Sequence, residues 1–596
     1  MDRQTTLRTT LVIALTLAIV LLWTWMFPPP APEPPRDVPA RVTEAAEPAA
    51  EATGSPAPGP GAGTQAPEAG TPEEPPSGEV IAGEEGQPPL TITLAHQELT
   101  LSARGGRVLS WKLLDHPADP QQPELGPVDL VSPESRRLER LPLTLITPDE
   151  ELTRTINGAW YVVDQEPVTA DELETRGLPE GTRRVRFRWA DGRGLVVDKA
   201  LYLVDDDRYL DLVEWSVTRG GRPVPDVRLA WGPGIERPAG TKSYYMRELE
   251  RAVVGTPDGL EEFAAKKLGD GDVLIPGARG SRFVALDDRY FAVAIIPREP
   301  ADVHLRLVDP GPPAGAGGGQ EPRRLVVEVG AHSALLFTGP KEEALLRRLD
   351  SELGTDLSGL IQWGFFGWVA RPLFHAMKWL FGLLGNWGAA IIVITVAIRA
   401  LFIPLTHKSM VSMRRTQEQT ARLQPKIRKI KDRYRDKRDM ASRQKMNEEI
   451  MALYKREGVN PMASLGGCLP LLIQLPVLWA MFSLLRVVIE LRGAPFVLWI
   501  RDLSAPDPTF ITPILMGVSM FAQQLLTMAR TDDPQQKSQQ RMMLFMPLMF
   551  TWFFLWAPSG LVIYWLTNNV LGIGQQLFVN RHAAAASRAT EAAPSS

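Results

Sequence analysis

Residues 388–405 read GAAIIVITVAIRALFIPL. An apolar run of this length is a candidate for crossing a bilayer, whose hydrocarbon core takes roughly 20 residues of helix. One residue does not fit. Arg399 places a guanidinium where it costs roughly 2.5–3.5 kcal/mol or more at mid-helix. The stretch therefore sets both the class of protein and the question of what the arginine is for.

Working outward, 596 residues imply two or more domains. The net charge of −4 hides a polar half joined to an apolar one, with the 16 Trp and 18 Met gathered towards the C-terminal half. The single cysteine, Cys468, excludes an intrachain disulfide framework and a cysteine-rich metal site, and its apolar surroundings suit packing. No GxxxxGK[ST] motif occurs, so no nucleotide chemistry is expected.

Towards the N-terminus, Arg3 and Arg8 precede an apolar run, 11–27, that ends in a triple proline. We read residues 1–27 as an uncleaved transmembrane anchor with its N-terminus in the cytoplasm, a cleaved signal peptide being the alternative. Residues 28–89 are rich in Pro, Ala, Glu and Gly, a composition that cannot bury a core, and form a disordered tether.

Over residues 90–345 the apolar period falls to two. TITLAHQELTLSARGGRVLSWKL (91–113), RRVRFRWADGRGLVVDKALYLV (183–204) and RRLVVEVGAHSALLF (323–337) read as strands separated by turns. In Val185-Arg186-Phe187-Arg188-Trp189 the apolar side chains share one face and the arginines the other. This predicts a large antiparallel β-sandwich. His96, His116, His304 and His332 are scattered without metal-ligand spacing, so neither a metal nor a catalytic site is expected.

Residues 346–387 carry Trp363, Phe366, Trp368, Phe374, Trp379 and Trp387 beside Arg371, His375 and Lys378. They suit a helix at the membrane surface, aromatics down and cations towards headgroups; a helix packed on the β domain is the alternative. After 388–405, four further spans are expected at 465–485, 510–528, 542–556 and 561–578, giving six with the anchor. Residues 406–460 hold 16 Lys/Arg against seven Asp/Glu, which puts that loop and both termini in the cytoplasm and the β domain outside it. Within the loop, Leu423, Ile427, Ile430 and Tyr434, then Met446, Ile450 and Leu453, recur at helical spacing, predicting a hairpin of two helices. Its cations Arg422, Lys426, Arg428, Lys429 and Lys431 suit RNA, anionic lipid or acidic peptide, or serve only topology and solubility.

Thr395 lies four residues before Arg399, on the same helix face. Gln474, Gln523, Gln524, Thr551, Thr567, Asn568 and Asn569 are further polar residues in the spans, which contain no Asp or Glu. Arg399 is nine residues, about 13.5 Å, from Lys408, within reach of snorkelling to the cytoplasmic headgroups. The other reading is a hydrated, positively charged cavity that receives acidic or polar stretches of another molecule.

The motifs GNWGAAIIVITVAIRALFIPLTHKSMVSM (385–413), RLQPKIRKIKDRY (422–434), MALYKREGVNPMASLGGCLPLLIQLPVLWAMFSLL (451–485), ELRGAPFVLWIRDLSAPDPTFITPILMGVSMFAQQ (490–524) and FMPLMFTWFFLWAPSGLVIYWLTNNVLGIGQQ (545–576) closely resemble the YidC family of bacterial membrane-protein insertases. The likeness covers about residues 361–580. It implies a core over 388–580 enclosing a hydrophilic groove, with Arg399 as the groove arginine, Thr395, Gln474 and Gln524 lining it, and Tyr564 and Trp565 as an aromatic pair that meets the emerging substrate span. It further implies a β domain of supersandwich type without known catalysis. The implied partners are nascent integral membrane proteins, membrane lipids, the Sec translocon and, transiently, the ribosome, because the tail 581–596 has only Arg581 and Arg588. No cofactor and no enzymatic activity are implied, and the location is the inner membrane. The rival function is a secondary transporter or channel for an anionic solute.

Overall fold

The computed structural model describes residues 78–235, 250–265, 268, 272–309, 323–434, 439–458, 469–528 and 534–591. The expected anchor and most of the tether lie outside the described residues.

The β domain comprises three antiparallel sheets. The largest runs, in spatial order, Val80–Ile81, Arg183–Asp191, Leu195–Leu203, Leu210–Arg219, Ser333–Pro340, Phe291–Pro297, Phe283–Asp287, Arg251–Thr256 and Gly259–Ala264, with two short strands paired at its side. A five-stranded sheet is built on Asp302–Val308, Arg324–Gly330 and Arg228–Trp231, and a four-stranded one on Leu90–Thr93, Gln97–Ser102, Arg107–Pro117 and Pro127–Asp129. The sheets meet in one core, where Trp111 packs on Trp231 at 5.7 Å. Lys199, fully buried on the large sheet, donates to the carbonyls of Gly105, Gly106 and Leu143 at 3.0, 2.9 and 2.6 Å and ties the three layers together.

The alternation read in 185–189 is present: Val185 and Phe187 face the core, while Arg186 and Arg188 pair with Asp198 and Asp164. It fails in the middle of the large sheet. Phe291–Ile296 is buried at every position, because both faces of that strand are covered.

Helix Glu343–Leu353 leads from the β domain to helix Gly367–Leu384, which packs on helices Trp387–Arg433 and Leu469–Val487. The aromatics of this segment divide between the interior and the surface. Trp363, Phe374 and Trp387 are buried, with Phe381 stacked on Trp387 at 4.5 Å. His375 and Lys378 turn back to Glu343 and Glu342, at 3.3 and 3.6 Å. Phe365, Trp368, Trp379 and Leu383 form the exposed apolar edge. A loop after Leu469–Val487 holds the two halves together: Arg492 donates to the carbonyls of Pro117 and Ala118 at 2.7 and 3.0 Å and lies over Phe291.

Helix Trp387–Arg433 runs unbroken for 47 residues from the apolar stretch into the basic loop. Helix Met440–Arg456 folds back on it, and Leu423, Ile427, Ile430 and Leu453 bury their side chains between the two. Among the described residues one helix, Trp387–Pro404, is long and apolar enough to cross a membrane. The apolar helices Gln474–Val487, Ile511–Thr527 and Met542–Phe554 are shorter. The last expected span lies within helix Ser559–Glu591, which carries Asn568, Asn569, Gln575 and Gln576.

Candidate functional site

Arg399 faces inward from helix Trp387–Arg433 because the surrounding turns, Ile391, Ile394, Thr395 and Ile398, form the buried stripe of that helix. Helix Ser559–Glu591 packs against this stripe and against helix Ile511–Thr527, so three helices converge on the guanidinium. Arg399 Nη2 donates to the backbone carbonyl of Asn568 at 3.1 Å. Its Nε is buried and has no partner, and among the described residues no carboxylate pairs with it. A half-buried cation held by one neutral carbonyl retains most of its five donors for an incoming acceptor.

The other residues picked out by sequence divide around this point. Thr395 is buried and bonds its own helix, donating to the carbonyl of Ile391 at 2.6 Å. Gln474 Nε2 donates to the hydroxyl of Tyr564 at 3.1 Å, and Tyr564 is fully buried. Trp565 points elsewhere, packing on Phe554 and Phe550 at 5.0 and 5.9 Å. Neighbours in a helix lie about 100° apart, so the aromatic pair serves two different seams. Gln524 has no hydrogen-bond partner for its amide among the described residues. The adjacent Gln523 is the glutamine that comes close to Arg399, both flanking Gly572.

Sequence reasoning passed over three further contacts. Asn569 donates to Ser519 Oγ at 3.0 Å, Gln575 donates to Thr406 Oγ1 at 2.8 Å, and the Asn568 carbonyl receives Arg399. The first two are amide–hydroxyl bridges across helices. Their signal is the run Thr567-Asn568-Asn569 followed by Gln575-Gln576, polar residues returning at helical spacing within an apolar helix. On the hairpin, Arg422, Lys426, Arg428 and Lys429 are exposed and Lys431 half-buried; Lys426 pairs with Glu457 at 2.7 Å. Among the described residues no group of His, Cys, Asp or Glu could hold a metal ion.

Residues 90–376 match the family described as the YidC periplasmic domain, and residues 379–586 match the family described as the 60Kd inner membrane protein. Three curated relatives carry the name membrane protein insertase YidC. The Geobacter sulfurreducens protein is 35% identical over 456 residues, 74% of this chain and 79% of that one. The Wolinella succinogenes protein is 40% identical over 342 residues, covering 57% of this chain. The Citrifermentans bemidjiense protein is 43% identical over 300 residues, covering 50% of this chain. In these last two cases the matched region spans 58% and 52% of the relative's length. A solved structure described as an active YidC insertase with its first transmembrane domain resolved is 19% identical, over 83% of this chain and 94% of that one, with a TM-score of 0.33. The resemblance read from the motifs is thus borne out by matches over nearly all of the described residues, and the chain belongs to the YidC family of membrane protein insertases.

Proposed function

We propose that the chain inserts, folds and assembles integral membrane proteins, with Arg399 receiving the polar flank of the incoming segment. The observation that carries this reading is a half-buried guanidinium with a buried, unpartnered Nε and, among the described residues, no carboxylate, set among three helices. An acidic or carbonyl-rich flank supplies the missing acceptors and is drawn part-way into the membrane. The apolar segment then moves into lipid, driven by its own transfer from water and, for acidic flanks, by the membrane potential. The chain's own chemistry is binding and release, and no bond is made or broken.

The arrangement in the membrane is six spans in the cell inner membrane, both termini cytoplasmic and the β domain periplasmic. Its support is the excess of 16 Lys/Arg over seven Asp/Glu in residues 406–460. The hairpin's exposed Arg422, Arg428 and Lys429 support a transient contact with the ribosome or with anionic headgroups. The chain works alone or beside the Sec translocon.

The test is insertion of a single-span substrate with a short acidic N-terminal tail into liposomes containing the purified protein. Arg399→Ala lowers insertion roughly tenfold or more, the effect of losing a charge-assisted hydrogen bond, and Arg399→Lys restores most of it. Insertion indifferent to both changes would reduce Arg399 to a snorkelling residue and defeat the reading.

A further inference from the structure

Gly572 lies one turn beyond Asn568 on helix Ser559–Glu591, on the face where the Asn568 carbonyl accepts from Arg399. It is buried, and its backbone is ordinary right-handed helix, so no special dihedral angle calls for glycine. Glycine is among the poorest residues for a helix interior. What the site uses is therefore the missing side chain. A Cβ built at Gly572 would stand 2.8 Å from Arg399 Nη2 and 2.7 Å from Gln523 Nε2, both inside the 3.0 Å below which real Cβ contacts essentially do not occur. Gly574, two residues on, is exposed and has nothing within 4 Å.

The identity of the crowded atoms decides what a methyl group at Gly572 would do. Both are the far ends of flexible side chains rather than backbone. The helices can keep their packing, and the guanidinium and the Gln523 amide must move instead. The bond from Nη2 to the Asn568 carbonyl runs past this notch and is, among the described residues, the one polar contact fixing the head of Arg399.

We propose that Gly572 is a positioning residue for Arg399. Its absent side chain forms the notch that seats the guanidinium against helix Ser559–Glu591, with the Gln523 amide as the opposite wall. This seat holds the charge at a fixed depth, so it tunes preference for acidic substrates rather than the stability of the bundle. The inference rests on the reading of Arg399 as the receiving cation.

The experiment compares wild type, Gly572→Ala and Gly574→Ala, each with Arg399 and with Arg399→Lys. The full-length protein is reconstituted in liposomes with two single-span substrates, one with an acidic tail and one with an uncharged polar tail. Gly572→Ala lowers insertion of the acidic-tailed substrate about tenfold, as expected for a displaced charge-assisted hydrogen bond. It leaves the uncharged-tailed substrate unchanged, and Gly574→Ala leaves both unchanged. In the Arg399→Lys background the Gly572→Ala effect disappears, because lysine has no Nη2 to be displaced. Equal behaviour of Gly572→Ala and Gly574→Ala would overturn the proposal. So would an equal loss for both substrates in both backgrounds, which marks a packing role only. If wild type inserts neither substrate, or Arg399→Ala inserts the acidic one normally, the reading of Arg399 itself falls.

Discussion

The β domain and the helical bundle treat a buried cation in opposite ways. In the β domain Arg251 and Lys341 share Asp287, at 2.5 and 2.7 Å, and Arg324 meets Glu250 at 2.7 Å. In the bundle Arg399 meets, among the described residues, a single carbonyl at 3.1 Å and no carboxylate. A buried charge needs compensation, since desolvation costs several kcal/mol per ion. The β domain meets that need internally, and its charges fasten strands and linkers to one another. The bundle leaves it open, which suits a charge whose counterpart arrives and departs.

The largest expected effect comes from breaking the internal compensation. Asp287 is 2% exposed, and its partners Arg251 and Lys341 also bond the carbonyl of Leu360, where the chain leaves the β domain. Asp287→Ala strands the buried Lys341 and leaves Arg251 with the more exposed Glu262, and should cost about 3–5 kcal/mol, the usual result of removing one member of a buried ion pair. Urea unfolding should show a lower midpoint with an unchanged slope. A loss below about 1 kcal/mol would mean that water reaches these cations and that the contrast between the two regions is smaller than drawn.

Glu490 lies at the boundary and sharpens the comparison. Its Oε1 is buried without a partner, and burial raises its carboxyl to about 7, with Glu342 raising it and Lys378 lowering it. An unfolded glutamate titrates near 4.5. Between those values the folded protein keeps a proton that the unfolded chain has lost. Stability should therefore fall as pH rises from 4.5 to 7, by on the order of 2–3 kcal/mol. Thermal unfolding across that window should show the slope in wild type and a flatter one in Glu490→Gln. The same slope in both proteins would remove Glu490 from the account.

The contrast explains which features were legible in sequence. Strand periodicity in 183–204, the hairpin stripe from Leu423 to Leu453 and the isolation of Arg399 are local or compositional, and all are present in the structure. The division into three sheets depends on pairings such as Leu210–Arg219 with Ser333–Pro340, more than a hundred residues apart, which no local period records. The amphipathic spacing of the aromatics at 363–387 did not say which of them turn inward: Trp363, Phe374 and Trp387 are buried, while Trp368 and Trp379 are exposed. Gln523 and Gln524 were indistinguishable in sequence for a physical reason. Adjacent helical residues differ by about 100° in direction, and only the placement of the neighbouring helix decides which one meets Arg399.

The smallest expected effect concerns the basic hairpin, where cations are neither stranded nor buried. Arg433 meets Glu449 at 2.6 Å across its two helices, with side chains 63% and 38% exposed. Such a pair is screened by water and salt, and fixing two long side chains offsets most of its attraction. Arg433→Ala should shift the thermal unfolding of the full-length protein by about 0.5 kcal/mol or less, and less still at high salt. A larger, salt-insensitive loss would mean the pair is desolvated like those of the β domain. A negligible loss supports the opposite role: the hairpin is held by Leu423, Ile427, Ile430 and Leu453, and its charges remain available for a partner.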